Sequence, residues 1–484
     1  MRRERSDERL DAQTLFRLPA VDNDVQPGAS LSLMTATRSL LVGVDVGSTM
    51  IKAGVVSVEG DELGRVSVPT GWRQVPTGAE IEPDTLLESV QRALARMLAA
   101  APPGDIAAIG VTSMAETAIL LDRDGAAIGP AIAWYDTRAA ADYAQMAVDL
   151  SPDEIGHQTG LTAAQIPTVA NLRWLMRAYP ELRRAQQVLS VAEWVIYGLG
   201  GSIGAELSLA SRTGVLSITS RRWWVDSLRW AGLGVTLFPE LHPAGGSWGR
   251  IGRVPEGLER LVGATLTVAG HDHLTASVGS GVTTSSQLMN SCGTAEALIR
   301  PVAAHPAMDP GAGVSRGISM GWHALPDHYG LLGAARLGID LIPLLQRLGA
   351  TAEHGRTGLD GPVLAVLDGI TSVDDSEPAT LEWKAALEAA AQRTAERMRQ
   401  LEDLGGEVTE VRVAGGWATN PVLMRLKAAV LPNPVYPQVA EAGIRGAALL
   451  GGLAAGVYPT VDAFPAPALN EPGDVHDRAS PRSG

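Results

Sequence analysis

Four short segments place acids, hydroxyls and glycines where a phosphate-bearing ligand could use them. In Asp45-Val46-Gly47-Ser48-Thr49 a carboxylate closes an apolar run and small residues follow. Glycine and serine let backbone N–H groups approach a phosphate, and a carboxylate can hold the Mg²⁺ that accompanies ATP. Lys52 lies on the next apolar run, where it would face the same phosphates. Ser291-Cys292-Gly293-Thr294 repeats that logic after a second apolar run. In Ala414-Gly415-Gly416-Trp417-Ala418-Thr419-Asn420-Pro421 the glycine pair leaves room for a flat base or a ribose. Asn420 and Pro421 suit the start of a helix. In Ala269-Gly270-His271-Asp272-His273 a carboxylate ends an apolar run, a setting that suits a general base taking a proton from a hydroxyl.

Each segment also has a plainer reading. They are, in turn, a hairpin turn, a β-turn, a strand-to-helix turn and a capping Asp. His271-Asp272-His273 resembles a metal cluster as well, although no third, separated group of ligands accompanies it. Cys292 has no cationic neighbour in sequence to lower its pKa, and reads as a small packed residue rather than a nucleophile.

The elements that must position these residues follow from periodicity. Leu40 to Gly47 and Ile51 to Val58 read as two strands joined by the Asp45–Thr49 turn, with Glu59-Gly60-Asp61 turning the chain again. Leu86 to Ala100 is apolar at helical spacing, Ile106 to Val111 is a strand, and Thr117 to Leu121 leads into the turn Asp122–Gly125. A similar series begins later. Leu266–Ala269 and Gln287–Asn290 are strands, Leu387 to Leu401 is helical, and Val411–Ala414 is a strand ending at the glycine pair. Two strand-rich halves, each with polar glycine turns at strand ends, predict a duplicated α/β unit with a ligand cleft between the copies. The expected boundaries are a loose extension over 1–38, one domain over 39–265, a second over 266–465, and a loose tail over 466–484.

Length and composition bound the reading. A chain of 484 residues with 45% hydrophobic content is long enough for two domains and a large core. The net charge of -14 argues against a nucleic-acid partner, which needs a basic face. One nucleotide needs only a few local donors and a metal. The single cysteine allows no disulfide framework within the chain, so a reducing cytoplasm fits. Neither a secretory h-region nor a long apolar span is evident, so no membrane partner is expected.

Taken in order, the four segments resemble the motifs of the FGGY carbohydrate kinases of the actin-like ATPase superfamily. Leu41 to Val56 resembles their first phosphate motif, Leu266 to Gly281 the catalytic-base segment, and Asn290 to Leu298 the second phosphate motif. Val413 to Asn420, followed by Gly443 to Gly456, resembles the adenosine motif and its helix. The sugar segment is similar too, through Ile109–Glu116, Pro130–Arg138 and Thr159-Gly160-Leu161. The resemblance spans about residues 40 to 458. It implies two actin-like, ribonuclease H-like domains around a nucleotide and sugar cleft. It also implies ATP-dependent phosphorylation of an alcohol group on a small sugar or polyol, with ATP and Mg²⁺ as cofactors; a homodimer is one assembly considered, and the sequence does not decide the oligomeric state. It assigns Asp272 as base and Asp45 as the Mg²⁺-side acid. Gly47, Ser48, Thr49, Gly293, Thr294, Gly333, Gly416 and Asn420 fall to the nucleotide, and Glu116, Asp272 and His273 to the substrate.

The departures from the family pattern concern the substrate. Met114 stands where a Gln is usual, and Ala115-Glu116 where glycerol kinases have Arg-Glu; xylulose kinases have a His at Glu116. Ile166 takes the place of the glycerol kinase aromatic, Ala428-Ala429 covers a usual Asp, and His273 replaces a Gln or Asn. The resemblance therefore leaves the choice between a ketose such as xylulose and a polyol open. Two rival readings are a non-catalytic sugar or nucleotide sensor on the same fold and an actin-like ATPase. The retained Asp272 disfavours the first, and the sugar segment from Gly110 to Arg138 disfavours the second.

Overall fold

Leu40, Leu41, Val42, Val44 and Val46 are all buried, so the first strand must be covered on both faces. The computed structural model describes residues 39–163, 166–353, 355–373 and 376–470. The extension expected over 1–38 and residues 471–484 of the expected tail lie outside the described residues. Five strands form the first sheet: β1 (Ser39–Val46), β2 (Met50–Ser57), β3 (Glu62–Pro69), β4 (Asp105–Ser113) and β5 (Thr265–His271), in the order β5-β4-β1-β2-β3. β1, β2 and β3 are joined antiparallel, while β4 and β5 run parallel to β1.

The second sheet contains β6 (Gln287–Cys292), β7 (Glu296–Ala303), β8 (Ile318–Trp322), β9 (His328–Ala335), β10 (Glu410–Ala414), β11 (Pro434–Pro437) and β12 (Leu469–Asn470). Its order is β8-β9-β7-β6-β10-β11-β12. β6, β7 and β9 are antiparallel, and β10 and β11 run parallel to β6. The strand directions of the first sheet are therefore repeated, with β8 and β12 added at the edges. This is the duplicated α/β unit that the sequence pattern predicts.

Helices complete the layers. α1 (Pro83–Ala100) buries Leu86, Val90, Leu94 and Met97 at helical spacing, and with α2 (Val191–Gly198) it covers one face of the first sheet. α3 (Asp272–Gly279) follows β5 directly. On the second sheet, α4 (Leu337–Arg347), the long α5 (Pro378–Gly405) and α6 (Pro421–Ala428) close a separate core. α7 (Ala442–Ala454) lies against α3 and against β1, β4 and β5. Its Ile444, Ala448 and Leu449 pack with Leu41 and Val56 of the first sheet, while Ala447 and Leu450 pack with Met289 and Ile299 of the second. The α3–α7 pair thus fills the space between the two sheets.

The domain boundary expected near residue 265 needs correction. Thr265 is the first residue of β5, which is hydrogen-bonded into the first sheet beside β4. The first sheet therefore ends after His271. A buried strand cannot be divided from its sheet without leaving its ladder unpaired. A third apolar cluster, including Leu120, Ile132, Met146, Leu172 and Phe238, forms a lobe inserted between β4 and β5. No helix among the described residues is long and apolar enough to cross a membrane.

Candidate active site

The site forms where strand ends meet the helix pair between the sheets. β5 delivers Asp272 as the first residue of α3, where the helix dipole favours a carboxylate. Asp272 Oδ1 accepts the backbone N–H of His273 at 2.7 Å and lies 3.2 Å from Nε2 of His271. The carboxylate is partly exposed, His273 is exposed and His271 is buried. The two imidazoles meet edge to face, 5.5 Å between centroids. Burial first, then the charges of His273, Arg212 and His323, hold His271 well below the usual histidine range.

Glu116 lies just past β4 with φ at 58°, a left-handed conformation that costs energy for a side chain of this size. Its buried Oε1 receives both Nε (2.7 Å) and Nη2 (2.6 Å) of Arg212. Burial raises the Glu116 carboxyl above its ordinary value, Arg212 opposes the shift by charge and hydrogen bond, Asp272 adds to it and His273 eases it. Glu116, Arg212, Asp272 and His273 thus form one electrostatic group. Arg212 was missed in the sequence reading. The available signal is a lone arginine inside the otherwise apolar and small stretch 207–218.

The turn expected to hold phosphate joins β1 to β2, with Asp45 directly opposite Lys52. Gly47 N–H donates to the Met50 carbonyl (3.0 Å) and closes the turn. Two indoles fix Ser48: Trp134 Nε1 donates to its hydroxyl and Trp72 Nε1 to its carbonyl, both at 2.7 Å. Trp134 belongs to the sugar-like segment, so the two motifs touch. Thr49 is exposed. Lys52 Nζ reaches Glu441, the residue before α7, at 2.6 Å.

Asp45 is half-buried, and its Oδ1 is shielded without a hydrogen-bond partner. Its carboxyl is pushed up to about 7, by burial first and then by Asp272, with Lys52 working against the shift and Glu441 adding to it. α7 approaches so closely that a Cβ on Gly443 would lie 2.5 Å from Asp45 Oδ2. The repulsion of Asp272 on this shielded carboxylate outweighs the attraction of Lys52, whose ammonium is paired with Glu441. That donor set fits Mg²⁺, which binds through one or two carboxylates and the phosphates of its nucleotide.

Across the helix pair, Gly293, Thr294, Gly416 and Trp417 line a cleft of about 500 Å³ with Ile342 and Leu345 of α4. This volume lies within the range of small-molecule sites. Two further residues expected at the nucleotide are not among those lining this cleft. Gly333 sits inside the second sheet, opposite Leu298 and Ile318 and covered by Arg397. Gly338 borders the cleft in its place, since a Cβ there would lie 2.9 Å from Thr294 Cα. Asn420 is fully buried: Oδ1 accepts Leu423 N–H (2.8 Å), and Nδ2 donates to Asp360 (3.0 Å) and to the Gly355 carbonyl (2.9 Å). It caps α6 and shapes the cleft from behind.

Beneath the Gly293–Thr294 turn, Lys427 of α6 makes a buried ion pair with Glu296. Lys427 also donates to Asn290 Oδ1 (2.7 Å) and Cys292 Sγ (3.2 Å). Burial opposes the Lys427 charge, but Cys292 and Glu296 outweigh it and its pKa rises. Cys292 therefore has a cationic neighbour in space that the sequence conceals. Burial still wins, and its thiol is pushed up to about 11.

Comparison with known proteins agrees with this geometry. Residues 40–279 match the FGGY family of carbohydrate kinases, N-terminal domain, and residues 365–455 match its C-terminal domain; together they cover more than half of the chain. A glycerol kinase of Citrifermentans bemidjiense is 27% identical over 467 residues, covering 87% of this chain and 91% of the relative. A probable glycerol kinase of Caenorhabditis elegans is 26% identical over 463 residues, covering 86% of this chain and 90% of its own. Among solved structures, the xylulose kinase of Rhodospirillum rubrum superposes with a TM-score of 0.77 at 22% identity, covering 89% of this chain and 93% of the other. The gluconate kinase of Lactobacillus acidophilus gives 0.73 at 18%, covering 90% and 93%. These structures show the same two-domain, actin-like fold.

Proposed function

The chain belongs to the FGGY family of carbohydrate kinases, and from that premise we propose that it transfers the γ-phosphoryl group of ATP to a hydroxyl of a small sugar or polyol, with Asp272 as general base. The observation that carries this reading is the carboxylate of Asp272. It is partly exposed at a helix start, grouped electrostatically with Glu116 and His273 on one side and Asp45 on the other.

Phosphoryl transfer is chiefly positioning and charge neutralisation. Gly47 closes the turn, and Ser48–Thr49 and Gly293–Thr294 offer backbone N–H groups and hydroxyls to the phosphates, with Trp134 and Trp72 holding Ser48 in place. Gly416 and Trp417 accommodate the base and ribose. Asp45 would hold Mg²⁺, which when bound supplies the positive charge that the phosphates and the paired acids lack. Glu116 has Oε1 occupied by Arg212, so Oε2 faces the substrate and fixes its hydroxyls. The acceptor hydroxyl gives its proton to Asp272 as its oxygen attacks the γ-phosphorus in line and the bond to the β-phosphate oxygen breaks, leaving ADP. The glycerol kinase relatives, together with the xylulose and gluconate kinases that share the fold, point to a polyol or an open-chain sugar as acceptor. A cytoplasmic setting suits the single cysteine.

The test is ADP release from the purified protein with ATP, Mg²⁺ and a panel of polyols, ketoses and sugar acids. Turnover with one acceptor supports the reading, and no acceptor-dependent turnover sinks it. Asp272→Asn should keep the fold and lower kcat by about 10²–10⁴-fold, the range typical of a lost general base. Near-normal turnover would remove Asp272 from that role.

A further inference from the structure

The turn between β1 and β2 is tied back by its carbonyls. Thr70 Oγ1 donates to the Gly47 carbonyl (2.7 Å), Trp72 Nε1 to the Ser48 carbonyl (2.7 Å) and the Thr70 N–H to the Thr49 carbonyl (3.0 Å). Three successive carbonyls are thus taken by the short segment that follows β3, in which Thr70 is fully buried. In a trans peptide the C=O of one residue and the N–H of the next point in opposite directions. Tying the Gly47 and Ser48 carbonyls to Thr70 and Trp72 therefore turns the N–H groups of Ser48 and Thr49 away from them. Among the described residues nothing accepts either N–H. Ser48 is half-buried and Thr49 is exposed, so both donors are left to water or a ligand.

The Ser48 hydroxyl is polarised in the same sense. Trp134 Nε1 donates to its oxygen at 2.7 Å. An indole N–H is a donor only, so this bond occupies a lone pair of Ser48 and leaves the hydroxyl proton to be given elsewhere. Among the described residues no group accepts that proton. Trp134 is itself held on both sides. The Ala133 N–H donates to the Ala79 carbonyl (3.0 Å), and Arg138 donates to both oxygens of the fully buried Asp136 (3.0 and 2.8 Å) and to Glu80 (2.8 Å). Buried polar groups satisfied in this way hold the segment that carries them in one geometry.

We propose that Trp72 and Trp134 are positioning residues for the phosphate turn, with separable roles: Trp72 holds the Ser48 peptide so that the Thr49 N–H is presented to a phosphate, and Trp134 holds the Ser48 oxygen so that its proton is given to a phosphate. The inference rests on this turn meeting the phosphates of ATP. Two successive N–H groups and a hydroxyl, all turned from the protein, are the donor set that an oxyanion takes. Donors fixed beforehand lose little freedom when the phosphate arrives, so releasing them weakens nucleotide binding more than it weakens the fold.

The experiment compares Ser48→Ala, Trp134→Phe, Trp72→Phe and the two double variants that contain Ser48→Ala. Each is followed by thermal melting and by isothermal titration calorimetry with the Mg²⁺ complex of the non-hydrolysable β,γ-imido analogue of ATP. Adenosine, which has no phosphate, is the control. Ser48→Ala should weaken analogue binding about tenfold, the scale of one hydrogen bond to a charged group. Trp134→Phe and Trp72→Phe should each weaken it about three- to tenfold and leave adenosine within about twofold. In the Ser48→Ala background Trp134→Phe should add less than about twofold, because the hydroxyl it orients is gone, whereas Trp72→Phe should keep its full factor, because alanine retains the carbonyl. Benzothienylalanine at position 134 puts sulfur in place of the indole N–H without changing the shape, and should weaken analogue binding as Trp134→Phe does. The same factor for Trp134→Phe in both backgrounds, or full affinity with the benzothienyl side chain, would make Trp134 a packing residue and overturn the proposal. Adenosine binding lost in step with the analogue, together with lowered melting temperatures, would overturn it as well. Unchanged analogue affinity in both Ser48→Ala and Trp72→Phe would take the turn away from the phosphates, and it is the reading beneath the proposal that would then have failed.

Discussion

Lys427→Met tests how the nucleotide side of the site is held. Lys427 and Glu296 each have side chains 1% exposed, so their charges meet essentially without water. Replacing the ammonium by a thioether of similar length leaves Glu296 with two neutral partners, Asn290 Nδ2 (2.6 Å) and the Thr394 hydroxyl (2.9 Å). Removing one partner of a buried ion pair costs about 3–5 kcal/mol, because the remaining charge is stranded. At about 2–4 °C per kcal/mol for a domain of this size, melting should fall by roughly 10 °C. The network joins β6, β7, α5 and α6, and β6 runs directly into the Gly293–Thr294 turn. KM for ATP should therefore rise while KM for the acceptor holds. Lys427→Met combined with Glu296→Gln should recover most of the lost stability, since no charge is then left unpaired. Differential scanning fluorimetry and ATP saturation curves read both effects. A drop below about 1 kcal/mol, or a double variant no more stable than Lys427→Met alone, would refute the reasoning.

Three further outcomes are expected. Asp45→Ala should raise the Mg²⁺ concentration giving half-maximal rate, and an unchanged Mg²⁺ titration would reduce Asp45 to a turn residue. Glu116→Ala should raise KM for the acceptor about tenfold or more, from the loss of one or two buried hydrogen bonds at about 1–3 kcal/mol each, and leave KM for ATP almost unchanged; equal rises in both would indicate general destabilisation. Glu193 and Glu206 are each pushed up to about 7, in both cases by burial first. A raised acid binds more protons folded than unfolded between about 4.5 and 7, so folding stability should fall as pH rises through that window and level off above it. Urea titrations between pH 5 and 8 should show that fall and show it reduced in Glu206→Gln; a stability that rises with pH in that range would contradict it.

What the sequence makes legible is what local pattern encodes. The strands bearing Asp45, Asp272, Gly293 and Gly416 announce themselves as short apolar runs that end in small polar residues, and each is a strand end in the fold. The antiparallel hairpin that sets Asp45 opposite Lys52 follows from two such runs separated by a short turn. What stays hidden is long-range. Arg212 meets Glu116 across 96 residues, and Lys427 meets Glu296 across 131. Neither pairing leaves a periodic or spacing signal, because each depends on how the inserted lobe or the second sheet closes. The misplaced boundary has the same origin: β5 belongs to the first sheet by hydrogen bonding, although about 150 residues of chain separate it from β4. Asn420 and Gly333 show a further limit. A motif match identifies the neighbourhood, but only side-chain geometry shows that Asn420 spends its amide on α6 and Asp360, or that Arg397 covers Gly333.

The arrangement also explains why the site tolerates so much buried charge. Asp45, Glu116, Glu193 and Glu206 all have carboxyls raised by burial, and each raised group marks free energy spent holding an acid where water does not reach. The groups differ in what answers that charge. Glu193 and Glu206 are met by backbone N–H groups and by Ser208, and their task ends with anchoring the strand end that presents Asp272. Among the described residues, Glu116 is met by Arg212 through Oε1. Asp45 faces Asp272 with a shielded oxygen that no described group bonds. Both oxygens of Glu193 are bonded within the fold, whereas Glu206 is bonded through Oε2 and keeps Oε1 buried without a partner. Among the described residues the acids proposed for metal and substrate likewise keep an oxygen unbonded, Asp45 through Oδ1 and Glu116 through Oε2, and a metal–nucleotide complex and a hydroxyl-bearing substrate are the ligands whose chemistry would complete them.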